Sequence, residues 1–416
     1  MIADMDGAAA AGAEAGAAVL GLGGCLDYEI TWDVAALEEL ARRHGIVASE
    51  LERGDVIGSE RDLVRSILAF LRDGVGGERA VAALEPIEAL SRMFERRITL
   101  GGTSVRAALA MSRIGVPSTL HLVSVDDHVR RLLPAGVVWI CSGDEDTLNP
   151  HLIVQFPRGA RVRLADGTEL VAPASNRLIY VCDRPNTEMI IDPGLGDLLE
   201  EARLFLISGF NAMMSEAALR ARIQTMRDAI ERMPAGSLVV FEDAGYHVPE
   251  LADVLIRELS DVVDVYGMNE DELATRVGRD VDLLDPADVA DALATLRALI
   301  PGPTLVVHTS AWALAYGPGA ARFADALDAG SALAGTRYLH GDALDADLYA
   351  ATMRLPRQER GVAFAEGIEA LLGDRVACRA ARVLDTDSPT TIGLGDTFVG
   401  GVVAALVSQA ATRSRA

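Results

Sequence analysis

A chain of 416 residues, half of them hydrophobic and 24% charged, is long enough for one large α/β domain with a smaller one attached. Its net charge of −23 argues against a nucleic-acid partner, because phosphate backbones demand a basic face. All 38 basic residues are arginine, so Walker-loop, protein-kinase and Schiff-base lysines are excluded, and any phosphate must be handled by backbone amides, arginine or metal.

Residues 1–16 are rich in Ala and Gly, carry acidic but no basic side chains, and read as a flexible N-terminal tail. They lack the positive start of a signal peptide and the long apolar run of a membrane span, so a cytoplasmic protein without a membrane partner is expected. Residues 17–23 read as a short buried strand ending in glycines. Apolar spacing of three and four then predicts helices over 32–43, 60–72 and 80–94, and another over 104–114 opened by Gly101-Gly102-Thr103. Strands follow at 118–123 and 137–141. Between 151 and 183 the pattern changes to short β runs at 152–156, 161–164, 169–171 and 177–181, a meander that reads as a small separate sheet. From 189 onward, strands at 204–208, 237–242, 262–266 and 304–308 alternate with helices at 215–232, 249–259, 270–277, 286–300 and 356–372.

This alternation predicts an α/β fold: a doubly wound, mainly parallel sheet flanked by helices, with a smaller discontinuous α+β lid. The expected boundaries are 17–26, 98–156 and 187–416 for the large α/β domain, and 27–97 and 157–186 for the lid. Cys25, Cys141, Cys182 and Cys378 are far apart and lack metal-ligand spacing, which suits thiols in a reducing cytosol.

The most informative stretch is Thr390-Thr391-Ile392-Gly393-Leu394-Gly395-Asp396-Thr397-Phe398, followed by an apolar, Ala-rich helical pattern. Gly393, Leu394, Gly395 and Asp396 should form the first turn of a helix, with free amides and a positive dipole end: an anion hole. Asp396 would sit beside a bound phosphoryl group, placed to take a proton from an attacking hydroxyl. Two predicted strands end in acidic residues, Glu242-Asp243 and Asn269-Glu270-Asp271-Glu272, at the edge where open α/β sheets place ligands. Asn269 with Glu272 reads as a capping box; two acidic strand ends facing one phosphate site also read as hard-oxygen ligands for Mg²⁺.

The Gly-Leu-Gly-Asp-Thr-Phe run resembles the catalytic signature of the ribokinase-like superfamily, and its Leu-containing form resembles the ADP-dependent glucokinase and phosphofructokinase branch. Residues 269–272 resemble that family's Asn-x-x-Glu motif, and Glu242 falls where its His-x-Glu motif supplies a carboxylate. Val240 stands in place of the motif histidine, and His247, further along, cannot be assumed to replace it. The resemblance makes Asp27, after the first strand, the candidate for sugar hydroxyls, with Gly101 and Gly102 as the second substrate element. Asn176 and Arg177 fall in a segment that resembles the sugar-binding lid, where Arg177 can pair with a sugar phosphate. His308 and Thr309 resemble the strand end that lines the nucleotide, together with Asn269.

These readings converge on a Mg²⁺-dependent kinase acting on a hydroxyl of a sugar or sugar phosphate, glucose or fructose 6-phosphate, with ADP as expected donor. Asp396 is the expected base, and Glu242 and Glu272 the expected metal ligands. An ATP-dependent ribokinase-type enzyme for a sugar or nucleoside remains open, as does a catalytically impaired sensor, which Val240 motivates. The oligomeric state is not legible.

Overall fold

The computed structural model describes residues 17–54, 56–387 and 389–415; the expected tail, 1–16, lies outside them. The chain starts in a large sheet with β1 (Ala18–Gly21) and crosses to a small one. There it forms β2 (Cys25–Ile30), α1 (Val34–Arg43), α2 (Glu60–Asp73), β3 (Gly77–Ala80), α3 (Glu85–Ser91) and β4 (Arg96–Gly101). It returns for α4 (Thr103–Arg113), β5 (Ser118–Leu122), α5 (Asp127–Leu132) and β6 (Val137–Cys141). It crosses again for β7 (Pro150–Phe156), the hairpin β8 (Arg161–Arg163) and β9 (Glu169–Val171), and β10 (Asn176–Val181).

The remainder belongs to the large unit. It runs through α6 (Arg184–Glu188), α7 (Leu195–Leu199), β11 (Leu204–Ile207), α8 (Glu216–Ile230), β12 (Leu238–Glu242), α9 (Glu250–Leu259) and β13 (Val265–Asn269). It continues with α10 (Glu270–Val277), α11 (Pro286–Leu299), β14 (Thr304–His308), β15 (Trp312–Tyr316), α12 (Ala324–His340), α13 (Ala346–Met353), α14 (Glu359–Leu372), β16 (Val376–Ala380) and α15 (Leu394–Arg415).

The large sheet has nine strands in the order β16-β15-β14-β13-β12-β11-β1-β5-β6, parallel except where β15 joins antiparallel to β14 and β16. Side-chain alternation divides its strands between two apolar layers: Ala18, Leu20, Leu204 and Leu206 face one, Val19, Phe205 and Ile207 the other. Both faces are therefore covered, as a parallel sheet requires.

The small sheet has the order β3-β10-β7-β2-β4. Leu26, Tyr28, Ile30, Leu152, Val154, Leu178 and Tyr180 point to one side and join the core built by Leu37, Leu63, Ile67, Phe70 and Ile87 of its helices. The alternate positions, among them Asp27, Glu29, Thr99, His151, Gln155 and Arg177, form a polar face that the pairings Asp27↔Thr99, Asp27↔His151 and Arg177↔Gln155 hold in register. A one-residue slip would exchange the two faces, so this register is strongly specified.

The sequence reading differs here in several places. Residues 25–26, 98–101 and 150–156, read as part of the large unit, are strands of the small sheet. The helix expected at 80–94 is only Glu85–Ser91, because 77–80 pairs with β10 instead. The runs 161–163 and 169–171 form their own two-stranded hairpin. The strands β2, β3, β4, β15 and β16 and the helices α12 and α13 had not been read from the sequence at all.

Helix α15 is wedged between α4 and α12 by glycines. A Cβ on Gly400 would lie 2.8 Å from the Ala107 carbonyl oxygen, and one on Gly401 2.7 Å from the Gly330 Cα. Only small residues allow backbones this close, and the fit fixes where the amino end of α15 points.

Candidate active site

Asp396 lies in the first turn of α15, its side chain 25% exposed. Among the described residues, the amides of Gly393, Leu394, Gly395 and Asp396 donate to no protein acceptor; the helical ladder begins with Thr397 N–H to the Gly393 carbonyl at 3.0 Å. Gly393 has φ +70°, a left-handed conformation that glycine adopts without penalty, and a Cβ there would sit 2.7 Å from an Arg106 guanidinium nitrogen. Thr397 Oγ1 caps the same Gly393 carbonyl at 2.7 Å. The turn therefore presents bare amides, a positive dipole end and one carboxylate together.

Arg106, on α4, connects this turn to the small sheet. Its guanidinium donates to Asp27 Oδ2 at 2.7 Å and stands 3.8 Å from Asp396 Oδ2. Burial disfavours its charge, but the Asp27 and Asp396 carboxylates more than offset that and hold its pKa above the usual value. The sequence reading missed Arg106, although it stands four residues after Gly102, one helical turn into α4. Gly101 makes the arrangement possible, since a Cβ on it would lie 2.6 Å from both Asp27 Oδ2 and Cys25 Sγ. Gly102 has φ +90° and precedes α4 as its N-cap, with Gly24 Cα 3.0 Å from where its Cβ would be.

On the other side of the turn, parallel strands β12, β13 and β14 bring Glu242, Asn269 and His308 to one edge. His308 Nε2 donates to Glu242 Oε1 at 2.9 Å, and its ring stacks on Phe398 of α15 with centroids 4.4 Å apart. Burial raises the Glu242 pKa and the His308 bond offsets part of that; burial would lower His308, but Glu242 and Glu272 outweigh it and raise it. Glu272 forms the capping box read from the sequence: Asn269 Oδ1 accepts from the Asp271 and Glu272 amides, and Glu272 Oε2 accepts from the Asn269 amide at 2.8 Å. Burial, reinforced by the charges of Glu242 and Asp243, lifts the Glu272 pKa to about 7. Asp396 contributes in the same way to the raised pKa of Glu242. A group of half-buried carboxylates that disfavour one another's charge, all with hard oxygen donors, fits a divalent cation of the Mg²⁺ type.

Val240 is buried two residues before Glu242, in the apolar layer that Phe398 of α15 also joins. His308, from a different strand, supplies the imidazole beside Glu242, while His247 Nε2 bonds Glu78 Oε1 on β3 at 2.6 Å.

A cleft of about 520 Å³ opens from the turn and is lined by Asn269, His308, Thr309, Tyr338, Gln358 and Gly395, among others. The Thr309 hydroxyl is engaged in the β14–β15 turn, accepting from Ala311 and Trp312 amides at 3.1 Å. Tyr338 lies on α12, which the sequence pattern does not announce, and Gln358 precedes α14 within the helix expected at 356–372 but carries no motif that marks it as a cleft residue. Asn176 and Arg177 border a separate open groove of about 900 Å³ that Thr391 also lines. Asn176 Nδ2 donates to the Gly74 carbonyl at 3.1 Å and its Oδ1 accepts from the Arg177 amide, so it shapes the start of β10. Strand spacings put the Cα atoms of Arg177 and Asp27 roughly 16 Å apart on the same polar face.

Residues 17–400 match the ADP-specific Phosphofructokinase/Glucokinase conserved region. The chain belongs to this family. Membership makes it a phosphotransferase with an alcohol group as acceptor, an ADP-dependent sugar kinase. No curated protein is significantly similar to it in sequence. The fold is similar to that of a hypothetical ADP-dependent phosphofructokinase from Pyrococcus horikoshii OT3, with TM-score 0.76, 18% identity and 95% of this chain and 98% of that one covered. It is also similar to a structure described as an ADP-dependent kinase complex with fructose-6-phosphate and ADPβS, with TM-score 0.70, 14% identity and 96% of both chains covered. Among the described residues, no helix of this family member is long and apolar enough to cross a membrane.

Proposed function

We propose that this protein is a cytoplasmic, Mg²⁺-dependent kinase that transfers the terminal phosphoryl group of ADP to a hydroxyl of glucose or fructose 6-phosphate. The observation that carries this reading is the α15 turn, where four unbonded amides and Asp396 meet the small-sheet carboxylate Asp27 through a single arginine. In the proposed reaction Asp396 takes the proton from the acceptor hydroxyl, whose oxygen forms the new bond to phosphorus as AMP leaves. The amides of Gly393, Leu394, Gly395 and Asp396 stabilise the charge on the transferring group. Asp27, with Gly101 and Gly102, orients the acceptor, and Arg177 holds the phosphate of a phosphorylated sugar. Asn269, His308 and Thr309 border the nucleotide cleft.

Glu242 and Glu272 are the residues that would hold Mg²⁺, which when bound neutralises nucleotide phosphate charge. The small sheet and its helices, carried by 27–97 and 157–186 with the strand ends at 25–26, 98–101 and 150–156, act as the lid that excludes water. Four free cysteines accord with a reducing cytosol. A histidine, His308, partners Glu242 although position 240 is valine, which supports the active-kinase reading over that of an impaired sensor.

The test is product formation from ADP and from ATP with each sugar, in the wild type and in Asp396→Asn. The variant should bind nucleotide normally and lose about 10²- to 10⁴-fold in kcat. Turnover within tenfold of wild type would remove Asp396 from the chemistry, and a preference for ATP would replace the donor assignment.

A further inference from the structure

Beside Asp27 stand two metal-binding side chains, Cys25 and His151, to which the proposed phosphoryl transfer gives no role. Cys25 Sγ, one Asp27 oxygen and one His151 ring nitrogen all lie within 4.8 Å of one another. Cys25 Sγ is 3.5 Å from Asp27 Oδ1, and His151 Nδ1 is 4.0 Å from the same oxygen. Zinc bonds of 2.0–2.3 Å in a tetrahedron place ligand atoms about 3.3–3.8 Å apart, so the Cys25–Asp27 pair already has that spacing and His151 must close on Asp27 by roughly 0.6 Å.

The surroundings orient each donor. His151 Nε2 donates to Asp183 Oδ2 at 2.9 Å, so Nδ1 is the nitrogen that faces Asp27 and Cys25 and the one that becomes a ligand when a metal replaces its proton. This is the carboxylate–histidine pairing that fixes the tautomer of metal-binding histidines. Asp183 is itself held by the amide of Asn186 at 3.1 Å and its Nδ2 at 2.7 Å. Asp27 divides its oxygens: Oδ2 is taken by Arg106, and Oδ1 faces the other two donors. The ligands come from paired strands β2 and β7, with Asp27 opposite His151, so the sheet sets their spacing.

We propose that Cys25, Asp27 and His151 form a three-ligand site for Zn²⁺, with a fourth position open to water or a ligand. Thiolate, imidazole and carboxylate together suit Zn²⁺ and not Mg²⁺, which separates this site from the Glu242–Glu272 edge. Binding displaces the thiol proton of Cys25 and the Nδ1 proton of His151 to solvent. The metal site stands independently of the kinase reading; its consequence, that Zn²⁺ excludes the sugar hydroxyl from Asp27, rests on that reading.

The test is titration of the chelator-stripped full chain with Co²⁺, whose thiolate charge-transfer absorption reports a cobalt–sulfur bond. One equivalent should bind, be displaced by Zn²⁺ but not by excess Mg²⁺, and be lost in Cys25→Ser. Asp183→Asn, which leaves all three ligands in place, should weaken binding about 10- to 100-fold. Zn²⁺ should also raise the melting temperature of the wild type and not that of Cys25→Ser. Absence of the band in folded wild type, or an undiminished band in Cys25→Ser, would overturn the site. Glucose or fructose 6-phosphate should compete with cobalt; a band indifferent to both would leave the metal site standing and instead refute Asp27 as the acceptor's partner.

Discussion

Replacing Arg106 with leucine isolates the contact on which the cleft is built. The Arg106 and Asp27 side chains are 10% and 6% exposed, at 2.7 Å, so Arg106→Leu leaves a buried carboxylate without its cation. Losing one partner of a buried pair costs about 3–5 kcal/mol. His151, 4.0 Å from the other Asp27 oxygen, supplies partial compensation and puts the expected loss at the lower end, about 3 kcal/mol. Urea unfolding should show this as a lower midpoint with an unchanged slope. The double variant Asp27→Asn/Arg106→Leu carries no orphaned charge there and should recover more than half of the loss, a coupling of about 1.5–3 kcal/mol. A single variant within about 1 kcal/mol of wild type, or a double variant no better than the single, would refute the argument that the ion pair, and not packing, holds this corner together.

Glu272 should make stability depend on pH. Its folded pKa of about 7 lies above the ordinary 4.5, so the folded chain keeps a proton that the unfolded chain releases. Stability is therefore fully present below about pH 4.5 and declines as pH rises through 7, by up to about 3 kcal/mol. Melting temperature should fall more steeply between pH 5 and pH 7.5 in wild type than in Glu272→Gln, and Mg²⁺ should reduce the difference; parallel curves would count against the assignment. Gly330→Ala should destabilise by about 1–2 kcal/mol in chemical denaturation. The methyl group would lie 2.8 Å from the Phe398 carbonyl oxygen, a backbone atom that cannot move aside, and this outweighs the helix-propensity gain of about 1 kcal/mol. Arg337→Met should lower kcat by about tenfold with nucleotide affinity nearly unchanged, because Arg337 Nε donates to the Ile392 carbonyl at 2.8 Å immediately before the anion turn. Equal kcat values would show that the turn holds its shape without it.

The parts legible in the sequence were those governed by local rules. The α15 turn was announced by Gly393 and Gly395 before an Ala-rich run, and the parallel strands by alternating β and α periods. The capping box that the spacing of Asn269 and Glu272 predicts is formed, and the metal-ligand reading of Glu272 stands beside it as a proposal. What escaped was set by tertiary pairing. Residues 25–30 alternate Leu26, Tyr28 and Ile30 with Asp27 and Glu29, yet their strand identity is sustained by β4 and β7, far away in the chain. Arg106 carries no motif; only the approach of α4 to α15 makes it a bridge. The strands β15 and β16 are short, nearly all buried, and lack the polar alternation that marks an exposed face. His308 could be placed at a strand end, but its bond to Glu242 joins residues 66 positions apart.

The path of the chain between its two sheets limits how the enzyme can open. It passes across four times, after β1, β4, β6 and β10, and two of these passages run through Gly21–Gly24 and Gly101–Gly102. A unit tied by one strand could swing in any direction; one tied by four is held to smaller excursions. The tethers at Gly21–Gly24 and Gly101–Gly102 adjoin the paired residues Cys25 and Gly101 and lead into the helix that carries Arg106, so in the proposed lid motion Asp27 and Arg106 should keep their alignment while the far rim of the cleft widens.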